Sequence, residues 1–127
     1  MTIHYTGVDV GYGDVGDTPA EIRAIERWAS SQNKPNEYNY VIGQDEDDLV
    51  YEYAGPFRAA HSGGENSQAV GVLLLNGTKE APTETQIKKV QWLREVLRYF
   101  AVLAGNNETT PHQQMPAAET ACPGSLI

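Results

Sequence analysis

Cysteine is almost missing from this chain, with Cys122 alone among 127 residues. No intrachain disulfide can form, so this is not a disulfide-stapled secreted scaffold. Histidine is nearly as scarce: the three are His4, His61 and His112. Positive charge is also short, with nine Lys and Arg against seventeen Asp and Glu and a formal net charge of −8. A surface of that sign repels phosphate, which argues against nucleic acid as a partner. Long hydrophobic runs are absent as well. The longest near the middle, Val70-Gly71-Val72-Leu73-Leu74-Leu75, is too short to span a bilayer. Met1-Thr2-Ile3-His4 shows no basic segment leading into an apolar one, so no signal peptide is visible. There is no internal repeat and no low-complexity tract.

What is present is an ordinary globular balance, 40% apolar and 20% charged. The length suits one domain over residues 1–127, large enough for a real core. Thr2-Ile3-His4-Tyr5 reads as a short strand, with Ile3 and Tyr5 on one face and His4 on the other. Gly7 to Asp17, holding four Gly, reads as a surface loop, either a plain connection or part of a groove wall. A helix is expected from Thr18, with Thr18 as cap, Pro19 in the first position and Glu21 completing a capping box. Its inward stripe is Ile22, Ile25 and Ala29, with Trp28 beside it, and it should end near Ser31 to Asn33, ahead of Pro35.

Tyr38–Gly43 and Leu49–Tyr53 read as a hairpin around Gln44-Asp45-Glu46-Asp47-Asp48. That acidic stretch lacks the spacing and the Gly of a Ca²⁺ hand, so a solvated turn is expected. Gly55 to Gln68 is a polar loop containing His61, and Ala69 to Leu75 is a strand buried on both faces. A second helix opens with a capping box from Thr83 to Gln86. It turns Ile87, Val90, Leu93, Leu97 and Phe100 inward, keeps Lys88, Lys89, Arg94 and Arg98 off that stripe, and meets a natural stop at Gly105. An irregular tail follows. The order implies an α/β fold, a mixed central sheet flanked by helices.

The scarce residues are where chemistry is to be sought. His112 and Cys122 lie among Pro111, Pro123 and Gly124, so a backbone of restricted freedom holds two good ligands for a borderline-soft metal such as Zn²⁺. Two ligands do not close a tetrahedral site, and His4, at the far end of the chain, is the candidate for a third. The nine-residue gap between His112 and Cys122 has no ligand signature of its own. On spacing alone, a metal site and incidental solvated side chains both stay open.

Several segments together resemble the zinc-dependent N-acetylmuramoyl-L-alanine amidases of the phage-lysozyme and peptidoglycan-recognition-protein type. Ile3-His4-Tyr5-Thr6 is similar to the family's first strand, which carries a zinc-binding His. Tyr38-Asn39-Tyr40-Val41-Ile42-Gly43-Gln44-Asp45 with Leu49-Val50-Tyr51-Glu52 resembles its central hairpin, opening on an active-site Tyr. Ala60-His61-Ser62-Gly63-Gly64, Asn66 and Ala69-Val70-Gly71-Val72 resemble a third segment, and Pro82-Thr83 opens a helix like the one before the second ligand. Pro111-His112 and Thr120-Ala121-Cys122-Pro123-Gly124 are similar to its closing ligand pair.

The resemblance implies that His4, His112 and Cys122 bind Zn²⁺, that Tyr38 assists catalysis, that His61 lines the pocket, and that Thr120 stands where members carry Lys or Thr. It implies hydrolysis of the amide between N-acetylmuramic acid and L-alanine in bacterial peptidoglycan. The expected protein is then a monomeric phage endolysin catalytic domain without membrane insertion, made in the host cytoplasm and released at lysis to act on the cell wall. Two departures stand out: the His112–Cys122 gap is longer than usual, and Thr120 replaces a Lys that some members use. One alternative is a non-catalytic peptidoglycan-binding module of the same fold. Another is an α/β domain in which Cys122 is merely a small buried apolar residue.

Overall fold

The computed structural model describes residues 1–6, 17–34, 37–47, 49–57, 59, 69–77, 79–100, 109–111, 114 and 122. Among them the elements run β1 (Thr2–Tyr5), α1 (Thr18–Ser31), β2 (Tyr40–Ile42), β3 (Tyr51–Glu52), β4 (Gly71–Leu74), α2 (Glu84–Tyr99) and β5 (Thr110–Pro111). The sheet order is β3-β2-β4-β1-β5. Only the β2–β3 hairpin is antiparallel; β2–β4, β4–β1 and β1–β5 are parallel. The sheet is therefore mixed, with helices on its faces, as the sequence implies.

β4 runs between β2 and β1, and Val72, Leu73 and Leu74 are at most 1% exposed. Parallel strands covered on both faces need apolar residues at every position, which is what the uninterrupted run supplies. The two-residue period sorts the sheet. Ile3, Tyr5, Tyr40, Ile42, Val72 and Leu74 face α2 and pack on Val90, Leu93 and Leu97. Val41, Leu73 and Leu75 face the other way and meet Ile22 and Ile25 of α1. His4 pairs with Leu73 across the β1–β4 ladder, so it stands on the α1 face.

The helix ends are fixed by side-chain oxygens. At α2 the expected capping box is present: Gln86 N donates to Thr83 Oγ1 and Thr83 N to Gln86 Oε1. Gln86 and Asn76, both fully buried, join the helix to the sheet through Gln86 Nε2 donating to Asn76 Oδ1 at 2.7 Å. At α1 the expectation is corrected. Asp17 is the cap, accepting from Ala20 N, and Thr18 instead donates its hydroxyl to Asp45 at 2.5 Å. Thr18 is buried against Gly43, where a Cβ would run into its side chain, and an acceptor on the neighbouring turn outcompetes the helix end for its proton.

Three further expectations change. Lys89, off the apolar stripe as expected, is buried at 7% exposed, and its Nζ donates to Asp45 O at 2.9 Å and Asp47 Oδ1 at 2.8 Å. The acidic turn is thus tethered to α2 rather than simply solvated. Phe100 is the C-cap of α2 and is 70% exposed, off the inward stripe. The tail after Gly105 is not wholly irregular, since Thr110 and Pro111 pair with Thr2 and Ile3 as β5. No helix among the described residues is long and apolar enough to cross a membrane.

Candidate metal centre and groove

β1 carries one candidate ligand, His4, and lies against a second, Cys122. His4 lies at its centre, 2% exposed, in the row that continues through Leu73 and Val41. Cys122 approaches the adjacent residue: Tyr5 N donates to Cys122 Sγ at 3.1 Å across a separation of 117 residues. The thiol in turn lies 3.5 Å from Tyr5 O. Pro111, the residue before His112, pairs with Ile3, the residue before His4. His112 itself lies outside the described residues, as do His61 and Thr120. Among the described residues no three His, Cys, Asp or Glu side chains gather around one point.

Tyr38 lies over His4, with ring centroids 5.3 Å apart and an edge-on interplanar angle of 62°. Burial pushes its hydroxyl well above the ordinary tyrosine pKa, and the neighbouring Glu37, Cys122 and Tyr53 push it further. Tyr38 is therefore a phenol at neutral pH, a hydrogen-bond donor. The Cys122 thiol is also pushed up by burial, partly opposed by the Tyr5 N–H that favours its thiolate.

Asn39 fixes where Tyr38 stands. It is 2% exposed. Its Nδ2 donates to Gly55 O at 2.8 Å and Phe57 O at 2.6 Å, and its Oδ1 accepts from Gly71 N at 2.7 Å. This amide clamps the entry of β2 to β4 on one side and to the turn after β3 on the other. Gly55, at φ +59°, supplies the left-handed residue of that turn. The sequence reading missed Asn39; its available signal is a lone amide inside the run Tyr38-Asn39-Tyr40-Val41.

Beside Tyr38 an open groove of about 390 Å³ runs along α1. Ile25 and Trp28 of α1, Thr6 after β1, Leu73 and Tyr38 line it, together with Glu21 and Glu37. A groove walled by two aromatic rings with a few polar groups, one ring being the Tyr38 that meets His4, can hold a polar chain.

The N-acetylmuramoyl-L-alanine amidase family matches residues 1–125. This chain belongs to that family. The amidase fold is shared with solved peptidoglycan recognition proteins. Bumblebee PGRP-SA superposes with a TM-score of 0.83 at 22% identity, over 98% of this chain and 74% of that one. Peptidoglycan recognition protein-LE, solved with tracheal cytotoxin, gives 0.82 at 21%, over 98% and 72%. Human PGRP-IBETAC, solved with glycosamyl muramyl pentapeptide, gives 0.78 at 23%, over 97% and 74%. No curated protein matches in sequence. The likeness to these structures is one of fold, and the family match carries amidase chemistry in general terms.

The donor set fits the metal that the family resemblance implies. A buried imidazole and a half-buried sulfur held by a backbone N–H are the kinds of nitrogen and sulfur donor that zinc takes.

Proposed function

We propose that this amidase-family chain is a zinc hydrolase cutting the amide between N-acetylmuramic acid and L-alanine of bacterial peptidoglycan. His4, Cys122 and His112 would hold the ion. The observation that carries the reading is the convergence on β1: His4 on the strand, Cys122 Sγ on Tyr5 N, and the residue before His112 paired with the residue before His4. Support also comes from the family match and from relatives of the same fold solved with peptidoglycan fragments.

Held by those residues, Zn²⁺ would supply a water acidic enough to be hydroxide near neutral pH and a Lewis acid for the carbonyl. The chain's own residues do the rest. Tyr38, held protonated by its surroundings, donates to the oxygen that gains charge as the carbonyl is attacked. Asn39 keeps that phenol in place. The Tyr38 ring covers His4 and keeps bulk water from its imidazole. His61 and Thr120, by their family positions, would line the same pocket. The protein would then work on the cell wall as a monomeric, endolysin-like lytic domain released at lysis.

The test is digestion of purified cell walls, with mass spectrometry of the new termini, with and without a chelator. New L-alanine amines matched by lactyl carboxyls, lost on chelation, are expected. Walls left intact by a protein that binds muramyl peptides would instead establish the non-catalytic module.

A further inference from the structure

The two helices are not held alike. On the α2 face of the sheet eleven buried residues form one cluster, whereas on the α1 face only Val41, Leu73 and Leu75 do. α2 buries five of its residues and α1 buries two, Thr18 and Ala29. Apolar packing therefore holds α1 weakly, and a single polar tie can decide where it stands. Among the described residues one hydrogen bond links α1 to chain beyond its own ends: Thr18 Oγ1 donates to Asp45 Oδ2. Thr18 opens the helix and is seated against Gly43, so this end of α1 is pinned to the turn after β2.

That turn is itself held from the other face of the sheet. Lys89 belongs to α2, and its ammonium donates both to Asp45 O and to the Asp47 carboxylate. A fixed position is thus handed from α2 through Asp45 to Thr18 and α1. The groove beside Tyr38 depends on the outcome, because Glu21, Ala24, Ile25 and Trp28 of α1 line it opposite residues of the sheet side such as Leu73 and Tyr38. Trp28 lies ten residues beyond Thr18, about 15 Å along the helix at roughly 1.5 Å per residue, so a tilt of about 5° at the pin carries it about 1.3 Å.

We propose that Thr18, Asp45 and Lys89 are positioning residues, a relay from α2 around the end of β2 that sets where α1 stands and with it the width of the groove. None of the three is among the residues that line it. The inference rests on the peptidoglycan reading for what the groove holds; the placement of α1 does not depend on that reading.

The experiment has two readouts, and the first needs no ligand. Thr18→Val keeps the side-chain outline and removes the donated proton. Lys89→Met keeps the stem and removes the ammonium on the other helix. In each variant, hydrogen exchange of the Ile22–Ala29 amides of α1 is expected to quicken about tenfold relative to the Val90–Leu97 amides of α2, since a hydrogen bond to a charged group is lost locally. Thr18→Ser, which keeps the hydroxyl, should restore the wild-type ratio. A rise shared equally by both helices is a global loss of stability and overturns the relay. The second readout is calorimetric titration of the chelator-treated protein with a muramyl tripeptide, so that no bond is cut. Thr18→Val and Lys89→Met should each bind it about three- to tenfold more weakly, with Thr18→Ser close to wild type. One misfolded variant leaves the other as the test. Unchanged affinity in a variant whose α1 exchange has quickened overturns the link to the groove. If wild type binds no muramyl peptide, the peptidoglycan reading falls, whereas the relay stands or falls on the exchange rates.

Discussion

Replacing Asn39 with leucine tests whether one buried amide holds the β2–β4 corner of the sheet together. Leucine has the same branched outline and number of heavy atoms, so the change removes the hydrogen bonds while adding some bulk in place of the amide. Three bonds are lost: the donations to Gly55 O and Phe57 O, and the acceptance from Gly71 N. Each would contribute about 1 kcal/mol net, and a partner left orphaned in a buried place costs about 1–3 kcal/mol. The expected loss is therefore about 3–5 kcal/mol, a large share of the roughly 5–15 kcal/mol that holds a domain folded. For a chain of this size that corresponds to a fall in Tm of roughly 10–20 °C. Urea and thermal unfolding, followed by circular dichroism, read it directly. Asn39→Asp is the companion: it keeps an acceptor for Gly71 N but sets a negative oxygen against two carbonyls, so it should lose about as much. A loss below about 1 kcal/mol for leucine, or a near-native aspartate variant, would show that the clamp is not what fixes this corner.

Four other outcomes are expected. Cys122→Ser should abolish stoichiometric zinc binding and wall digestion, because a hydroxyl is a far poorer zinc ligand than a thiolate; full digestion by the variant would remove Cys122 from the ligand set. Tyr38→Phe should keep its metal, checked by atomic absorption, but slow turnover by about 10² to 10³. Gly43→Ala should destabilise by about 1–3 kcal/mol, since the added methyl meets the Thr18 side chain, and Thr18→Ala in the same chain should recover part of that loss. The Asp47 carboxyl is held below its ordinary pKa by its hydrogen bond to Lys89. Its contribution is full above about pH 4 and disappears as pH falls through the lower folded value, so the stability gap between wild type and Asp47→Asn should narrow between pH 7 and pH 3.

The strands and helices were largely legible because their signals are local. The apolar run at Val70–Leu75 needs only burial on two faces, and Thr83 with Gln86 needs only one turn of helix. The α1 cap was misread because Asp17 and Thr18 both qualify in sequence, and the choice depends on Asp45, 27 residues away, accepting the Thr18 proton. The burial of Lys89 against the acidic turn was not legible for the same kind of reason. Helical periodicity gives a residue's direction, but not that Asp45 O and Asp47 wait there as acceptors. Asn39 went unnoticed because its three partners, Gly55, Phe57 and Gly71, are glycine and backbone groups that leave no pattern in a sequence.

The proposed metal centre was legible only as scarce residue types, and the topology explains why. A hairpin joins antiparallel strands through a few residues, but a parallel pair needs a long crossover. β1 lies inside the sheet with a parallel neighbour on each side, β4 and β5. Whatever stands beside His4 must therefore arrive from remote chain, as the Tyr5–Cys122 bond does across 117 residues. No short ligand spacing can be expected of a site assembled this way. The register of β1 against β5 pairs Thr110 with Thr2 and Pro111 with Ile3, and sliding that ladder by one residue would turn the side chains of β5 to the opposite face of the sheet. If the proposed zinc site is right, it depends on this sheet, and a substitution that weakens the β1–β5 ladder should lower zinc affinity without touching His4, His112 or Cys122.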